Sequence, residues 1–196
     1  MRNEIPDFRD DLDFTLEFIF SELRRASVDR KHPLHHIAVA SKDSDQAQVR
    51  MVVLRKFDLQ KNTLEFHTDV RSDKVNQFKE NPKISILGYH PKKRYQIRVT
   101  GRVTIHHQNE ISMHAWNLLA SGSRKIYQGS LTPGTKITHS LPPQSPGSIH
   151  SNDSKNFCLC EVSIDEIAWL YLSPSEHRRA HYTLTDGAFL RQWMVP

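Results

Sequence analysis

Apolar positions along the chain follow two different periods, and the changes of period mark out its elements. Leu12, Leu16, Ile19, Phe20 and Leu23 recur at the spacing of one helix face, with charged residues over much of the remainder. This predicts an amphipathic helix over residues 10–28, closed by His32-Pro33 and packed against the body of the domain. From residue 35 the pattern shortens to strands over 35–41, 48–58 and 63–68, the last two joined by a polar turn at 59–62. Residues 73–80 read as a short helix with Val75 and Phe78 turned inward, stopped by Asn81-Pro82. Strands return over 83–88 and 95–106, linked by the basic turn Pro91-Lys92-Lys93-Arg94. A further helix follows over 109–121, with Ile111, Ala115, Leu118 and Leu119 as its buried stripe.

Residues 129–155 are rich in Pro, Gly and Ser and show no period, so they read as a long flexible loop. Order resumes with a strand over 156–162, a segment over 165–172 rich in Leu around Trp169, and a final hairpin or strand over 181–190. Mostly antiparallel strands with a few helices predict a mainly β (α+β) protein, a β-barrel with helical additions. The chain reads as a single domain over 1–196, with residues 1–30 as an N-terminal helical extension.

Composition narrows the class. Hydrophobic residues make up 37% of the 196 and charged residues 25%, enough apolar material to bury a core and too much for a disordered chain. Lys and Arg outnumber Asp and Glu by 27 to 22, which favours an anionic partner, either a nucleic acid or a phosphorylated small molecule. The cations are spread along the chain, so a basic nucleic-acid-binding protein is an alternative reading and not a requirement. No apolar run approaches the roughly 18 residues of a membrane span. The first residues are acidic and lack a signal-peptide core. Cys158 and Cys160, two apart in one strand, are badly placed to bond each other and read as free thiols of a cytoplasmic protein.

Candidate chemistry collects where strands end. In the loop Thr68-Asp69-Val70-Arg71-Ser72-Asp73-Lys74, Ser72 is placed to cap the following helix, whose free amides would face an anion beside Arg71 and Lys74. An ordinary capped helix with surface charges fits the same residues. Arg50 and Arg55, five apart on one strand, point to opposite faces. Gln96 and Arg98 share a face and suit either a heteroaromatic ring or solvent. The run His177-Arg178-Arg179 reads as a solvated basic loop or a ligand contact. The His pairs at 35–36 and 106–107 point apart in strands, and neither a His-Glu-x-x-His motif nor a Cys/His cluster is present, so no metal site is expected. Neither a P-loop nor a Gly-x-Gly-x-x-Gly motif occurs.

The order of these pieces is more specific than any one of them. Arg50-Met51-Val52-Val53-Leu54-Arg55, then Phe66-His67-Thr68, Arg71-Ser72-Asp73-Lys74, Asn81-Pro82 and Gln96-Ile97-Arg98-Val99-Thr100-Gly101 resembles the pyridoxamine 5'-phosphate oxidase family. The resemblance spans roughly residues 37–196 and implies an FMN-binding, antiparallel six-stranded split β-barrel with peripheral helices. It implies that Arg50, Met51, Val52, Val53 and Leu54 line the flavin, with Arg50 near the phosphate. It further implies that Arg71, Ser72 and Lys74 hold that phosphate, and that His67 and Thr68 also contact the cofactor. Gln96, Arg179 and either Trp169 or Leu170 would meet the ring, and Arg55 and His177 the substrate. Arg55 stands where the family has a lysine, His67 where it has a tyrosine, Asp73 where it has an arginine and Ser175 where it has a substrate-holding arginine. These departures point to the family's FMN-binding relatives and away from the oxidase proper. The implied protein is an oxidoreductase acting on a small molecule, a homodimer with FMN at the subunit interface. The alternative within this frame is a non-catalytic flavin or haem-binding carrier.

Overall fold

The computed structural model describes residues 7–140, 153–174 and 176–196. A long helix, α1 (Leu12–Val28), opens the fold. Asp11 accepts hydrogen bonds from the amides of Asp13 and Phe14 at 2.8 and 2.9 Å, satisfying donors the first turn would otherwise leave open. The helix buries Leu16, Ile19, Leu23 and Ala26 against the sheet, the face its spacing predicts. Strands β1 (His36–Asp43), β2 (Gln46–Asp58) and β3 (Thr63–Asp69) follow as an antiparallel meander. Then come α2 (Asp73–Glu80), the hairpin β4 (Lys83–His90) and β5 (Tyr95–His106), and α3 (Glu110–Leu118) with a one-turn α4 (Ser121–Arg124). The chain ends in β6 (Phe157–Leu172), β7 (His177–Thr185) and β8 (Ala188–Met194).

Six strands close on themselves in the order β3-β2-β1-β4-β5-β6, and β3 pairs back onto β6. β7 and β8 extend the sheet beyond β6 as a hairpin, two strands more than the expected six. The element that closes the barrel is β6. Its first half pairs with β3 from Phe157 to Ser163, while Leu159 to Tyr171 pair with β5. It is one continuous strand, where the sequence pattern suggested two segments. The final hairpin also starts earlier than expected, at His177.

The register of β5 on β6 slips between Thr100 and Gly101. A Cβ at Gly101 would lie 2.1 Å from the Ser163 carbonyl oxygen, so only glycine lets the two backbones meet at this bulge. The barrel interior is filled by Val52, Leu54, Phe66, Val99, Val162 and Trp169, among others. A smaller apolar cluster of Trp116, Tyr127, Phe157 and Leu159 lies outside the barrel beneath α3. No helix among the described residues is long and apolar enough to cross a membrane.

Candidate functional site

Alternation along β2 decides what each of its side chains can do. Val52 and Leu54 face the core, Leu54 with no exposure at all. Arg50 lies on the same side but at the barrel rim, where Nη1 donates to Ser41 Oγ at 2.7 Å and Nη2 to Gln77 Oε1 at 2.7 Å. Val49, Met51, Val53 and Arg55 point outward, away from the core. A flavin lying along β2 would therefore touch Met51 and Val53 by side chain, and Val52 and Leu54 by backbone alone.

At the rim, Arg50, Lys74, Ser72, Met51 and Gln77 line a cleft of about 520 Å³, with Pro133 and Gly134 on its far side. Lys74 Nζ donates to Thr68 Oγ1 at 3.1 Å. Burial, and then the charge of Arg50, lower the pKa of Lys74. A site that crowds two cations out of water is stabilised by an anion. Ser72 Oγ donates to the Asp69 carbonyl at 2.6 Å and does not cap α2, so no side chain takes the helix's first amides. Arg71 is placed otherwise than expected. Its Nε and Nη2 donate to Asp69 at 3.0 and 2.7 Å, Nη1 donates to the Ser130 carbonyl at 3.2 Å, and it does not line the cleft. The local reason is the turn itself, which sets Asp69 two residues before Arg71 and within reach of its fork.

Arg55 and His67 open onto a different space, a cavity of about 700 Å³ between the outer face of β2, β3 and β6, the helix α3 and the end of α1. Within these two side chains, Arg55 Nε and His67 Nδ1 are sealed from water and have no hydrogen-bond partner. The His67 ring packs against Phe157 at 4.9 Å, and its pKa is lowered to about 4 by burial and by the charge of Arg55. Burial likewise pushes the Tyr127 hydroxyl up to about 12.

Gln96 and Arg179 lie on a third surface, the open outer face of β4 to β7. Directly opposed residues share a face, and Gln96 faces Leu170, which faces Arg179. His177 is two residues from Arg179 and on the same face. Of the two residues expected to meet a flavin ring, Trp169 is fully buried in the core while Leu170 stands in the outer row. Trp169 therefore belongs to the core, and Leu170 shares the outer row with Gln96 and Arg179. Sequence reasoning had kept both because each falls in the same motif, and only the register shows which one faces out. Ser175 and residues 141–152 lie outside the described residues.

A cluster that sequence reading missed joins α1 to the β4–β5 turn. Buried Glu22, His32 and His90 gather within reach of one metal ion. Lys93 Nζ donates to both Glu22 oxygens at 2.8 Å and Tyr95 donates its hydroxyl to the same carboxylate. The two imidazoles accept backbone amides at Nδ1, from Leu34 at 3.2 Å and from Lys93 at 3.1 Å, so each neutral ring carries its proton on Nε2. A metal would need a lone pair there. The cluster fastens α1 to the β4–β5 turn through the Glu22 carboxylate, with His32 Nε2 buried 3.4 Å from it and not hydrogen-bonded.

Residues 18–107 match the family model described as pyridoxamine 5'-phosphate oxidase, FMN-binding domain. Over that stretch the chain is similar to the pyridoxamine 5'-phosphate oxidase family. Its fold is shared with a pyridoxamine 5'-phosphate oxidase-related, FMN-binding protein of Nostoc punctiforme PCC 73102, at 23% identity and a TM-score of 0.74, over 93% of this chain and 96% of that one. It is shared equally with PhzG of Burkholderia lata 383, solved with tetrahydrophenazine-1-carboxylic acid, at 18% identity and a TM-score of 0.73, over 99% and 98% of the two chains. General stress protein 26 of Bacillus anthracis str. Sterne is more distant, at 14% identity and a TM-score of 0.53, over 77% and 92%. No curated protein matches the sequence. The split barrel expected from the order of motifs is the fold these oxidase-like chains have in common.

Proposed function

We propose that this oxidase-like chain is an FMN-binding flavoprotein that acts as an oxidoreductase on a small molecule and works as a homodimer. The rim cleft carries the reading. Arg50 and Lys74, with the unclaimed amides at the start of α2, supply charge and donors for a phosphate dianion. Arg71 does not join them and acts by holding the Asp69 turn. From the cleft the outer face of β2 leads past Met51 and Val53 to Arg55, about 16 Å along an extended strand, enough for an extended flavin mononucleotide. Bound FMN supplies two-electron redox chemistry at its ring. Arg55 and His67 stand at the ring end of that path and are the substrate-facing groups, with Thr68 supporting Lys74.

The row of Gln96, Leu170 and Arg179 is separate from this path in one chain and lines neither cavity. A second copy laid across the open sheet would bring the row, with His177, to the flavin of the first. The same face leaves apolar surface to cover: Met51 is 61% exposed and Tyr89 44%. We place the protein in the cytoplasm, in keeping with its two unbridged cysteines.

The test is a visible spectrum of the purified protein with and without added FMN. Flavin absorbance that stays with the protein through gel filtration is expected, and a protein that retains none refutes the reading. Leu87→Asp, which puts a charge on the open face, should turn a dimer into a monomer in analytical ultracentrifugation. An unchanged mass would refute this interface.

A further inference from the structure

The chain beyond Tyr127 is tied to the fold unevenly. Tyr127 is buried with Trp116 and Phe157, and its carbonyl accepts from Asn156 Nδ2 at 2.8 Å. Further on, the Ser130 carbonyl accepts from Arg71 Nη1 at 3.2 Å. From Leu131 to Ser140 every residue is exposed. The hydrogen bonds of this stretch are local: Thr135 N and Oγ1 donate to the Thr132 carbonyl at 3.1 and 2.7 Å, and His139 Nδ1 pairs with Thr138 Oγ1 at 3.1 Å. Among the described residues it makes no hydrogen bond or ion pair to the body of the fold. Yet Pro133 and Gly134 form the far side of the rim cleft that Arg50 and Lys74 line. Gly134 holds φ at +87°, and a Cβ there would lie 3.7 Å from Asp73 Oδ2, so the turn lies against the start of α2.

We propose that residues 131–140 form a strap across this cleft, that Arg71 latches it at Ser130, and that opening of the latch sets how fast FMN enters and leaves. The identity of the guest rests on the proposed function, whereas the latch rests on geometry alone. Arg71 suits the task because Asp69 fixes it. Asp69, itself buried, takes Nε and Nη2 at 3.0 and 2.7 Å, and this fork leaves Nη1 aimed at the Ser130 carbonyl. A guanidinium already held needs little further ordering to bond a third group. The contact to Ser130 is single and exposed, so it can break while the pair with Asp69 stays whole.

A latch of this kind acts on rates and leaves affinity alone. Neither Arg71 nor Ser130 lines the cleft, so their bond is the same whether or not a phosphate sits there. An equilibrium between closed and open strap that FMN does not alter slows entry and exit by one factor, and that factor cancels from Kd. Its size follows from one hydrogen bond with a charged donor, which shifts such an equilibrium roughly five- to thirtyfold. The cations that do line the cleft stay out of the latch: Arg50 is bonded to Ser41 and Gln77, and Lys74 to Thr68. Arg71 is thus a positioning residue for the strap and not a ligand of the phosphate.

The experiment mixes flavin-free protein with FMN in a stopped-flow fluorimeter, and follows release by trapping freed FMN with an excess of an unrelated apoflavoprotein. In a second arm, flavin-free protein is digested with trypsin, and cleavage after Lys136 is timed by mass spectrometry. Arg71→Ala should raise the association and dissociation rates together by about fivefold or more, leave Kd within about threefold, and speed cleavage after Lys136 by a similar factor. Arg71→Gln can still donate to Asp69 but is too short to hold Ser130 as well; it should behave alike, and it stands in if the first variant folds poorly. Unchanged rates in both variants overturn the proposal. So does a Kd weakened about tenfold through faster release alone, which would make Arg71 a phosphate ligand. A native protein that binds no FMN refutes the cofactor reading, and the trypsin arm then decides the latch by itself: cleavage no faster in the variants sinks it.

Discussion

His67 offers a measurement of stability that needs no ligand. With its pKa lowered to about 4, the imidazole is neutral in the folded protein, whereas in the unfolded chain it titrates near the ordinary 6.5. The unfolded state therefore binds the extra proton first. Stability from the neutral ring is complete above pH 6.5, falls as pH drops below it, and is fully lost once pH passes the folded value near 4. The span of about 2.5 units at 1.36 kcal/mol each corresponds to about 3 kcal/mol, an upper figure because the ring is not wholly sealed from water. Urea denaturation of the flavin-free protein at pH 7.5, 6.5, 5.5 and 4.5, in buffers without phosphate or carboxylate, reads this directly. Other groups also titrate in this range, so the informative quantity is the difference between the native protein and His67→Phe. That difference should shrink by about 2–3 kcal/mol from the highest pH to the lowest, with the variant gaining relative to the native chain. A difference that stays flat, or an NMR titration placing His67 near 6.5, would show that the burial argument is wrong.

Other outcomes follow from the same geometry. Lys74→Ala and Arg50→Ala should each weaken FMN binding by tenfold or more in fluorescence titration, the scale of a lost charge-assisted contact of about 1.5–3 kcal/mol. Arg71→Ala should leave FMN affinity within about threefold, because its guanidinium is spent on Asp69 and the Ser130 carbonyl; a tenfold loss would return it to the phosphate. Tyr95→Phe removes a donor from the buried Glu22 carboxylate and should cost about 1.5–3 kcal/mol in urea melts, with the spectrum of any bound flavin unchanged. Burial raises the pKa of Glu22, but the hydrogen bonds from Lys93 and Tyr95 outweigh it and the net shift is downward. This contribution is present above the ordinary carboxylate pKa and is lost as pH falls through the lower folded value. Gly101→Ala should destabilise the barrel by about 1–3 kcal/mol or more, because the new methyl meets backbone that cannot move aside.

The local elements were legible in the sequence because each is set by neighbours close along the chain. The stripe of Leu16, Ile19 and Leu23 gives α1, Asn81-Pro82 ends α2, and the alternation of Ile97 and Val99 with Gln96 and Arg98 gives β5. The order of motifs from Arg50 through Lys74 and Gln96 to Arg179 also pointed to the split barrel, the fold that the solved structures share. The tertiary structure alone decided what those residues do. β6 reads as two pieces in isolation and becomes one strand because β3 and β5 grip it from both sides. Trp169 and Leu170 are adjacent in the chain, and pairing with Gln96 and Arg179 puts one inside the barrel and the other outside. Arg71 and Lys74 look alike as loop cations, yet Asp69 takes the first and leaves the second to the cleft. The unpartnered atoms of Arg55 and His67 exist only because two strands and a helix wall them off from water. Hydrophobic period and turn chemistry are local quantities, whereas burial, register and the supply of partners depend on what the rest of the chain brings alongside.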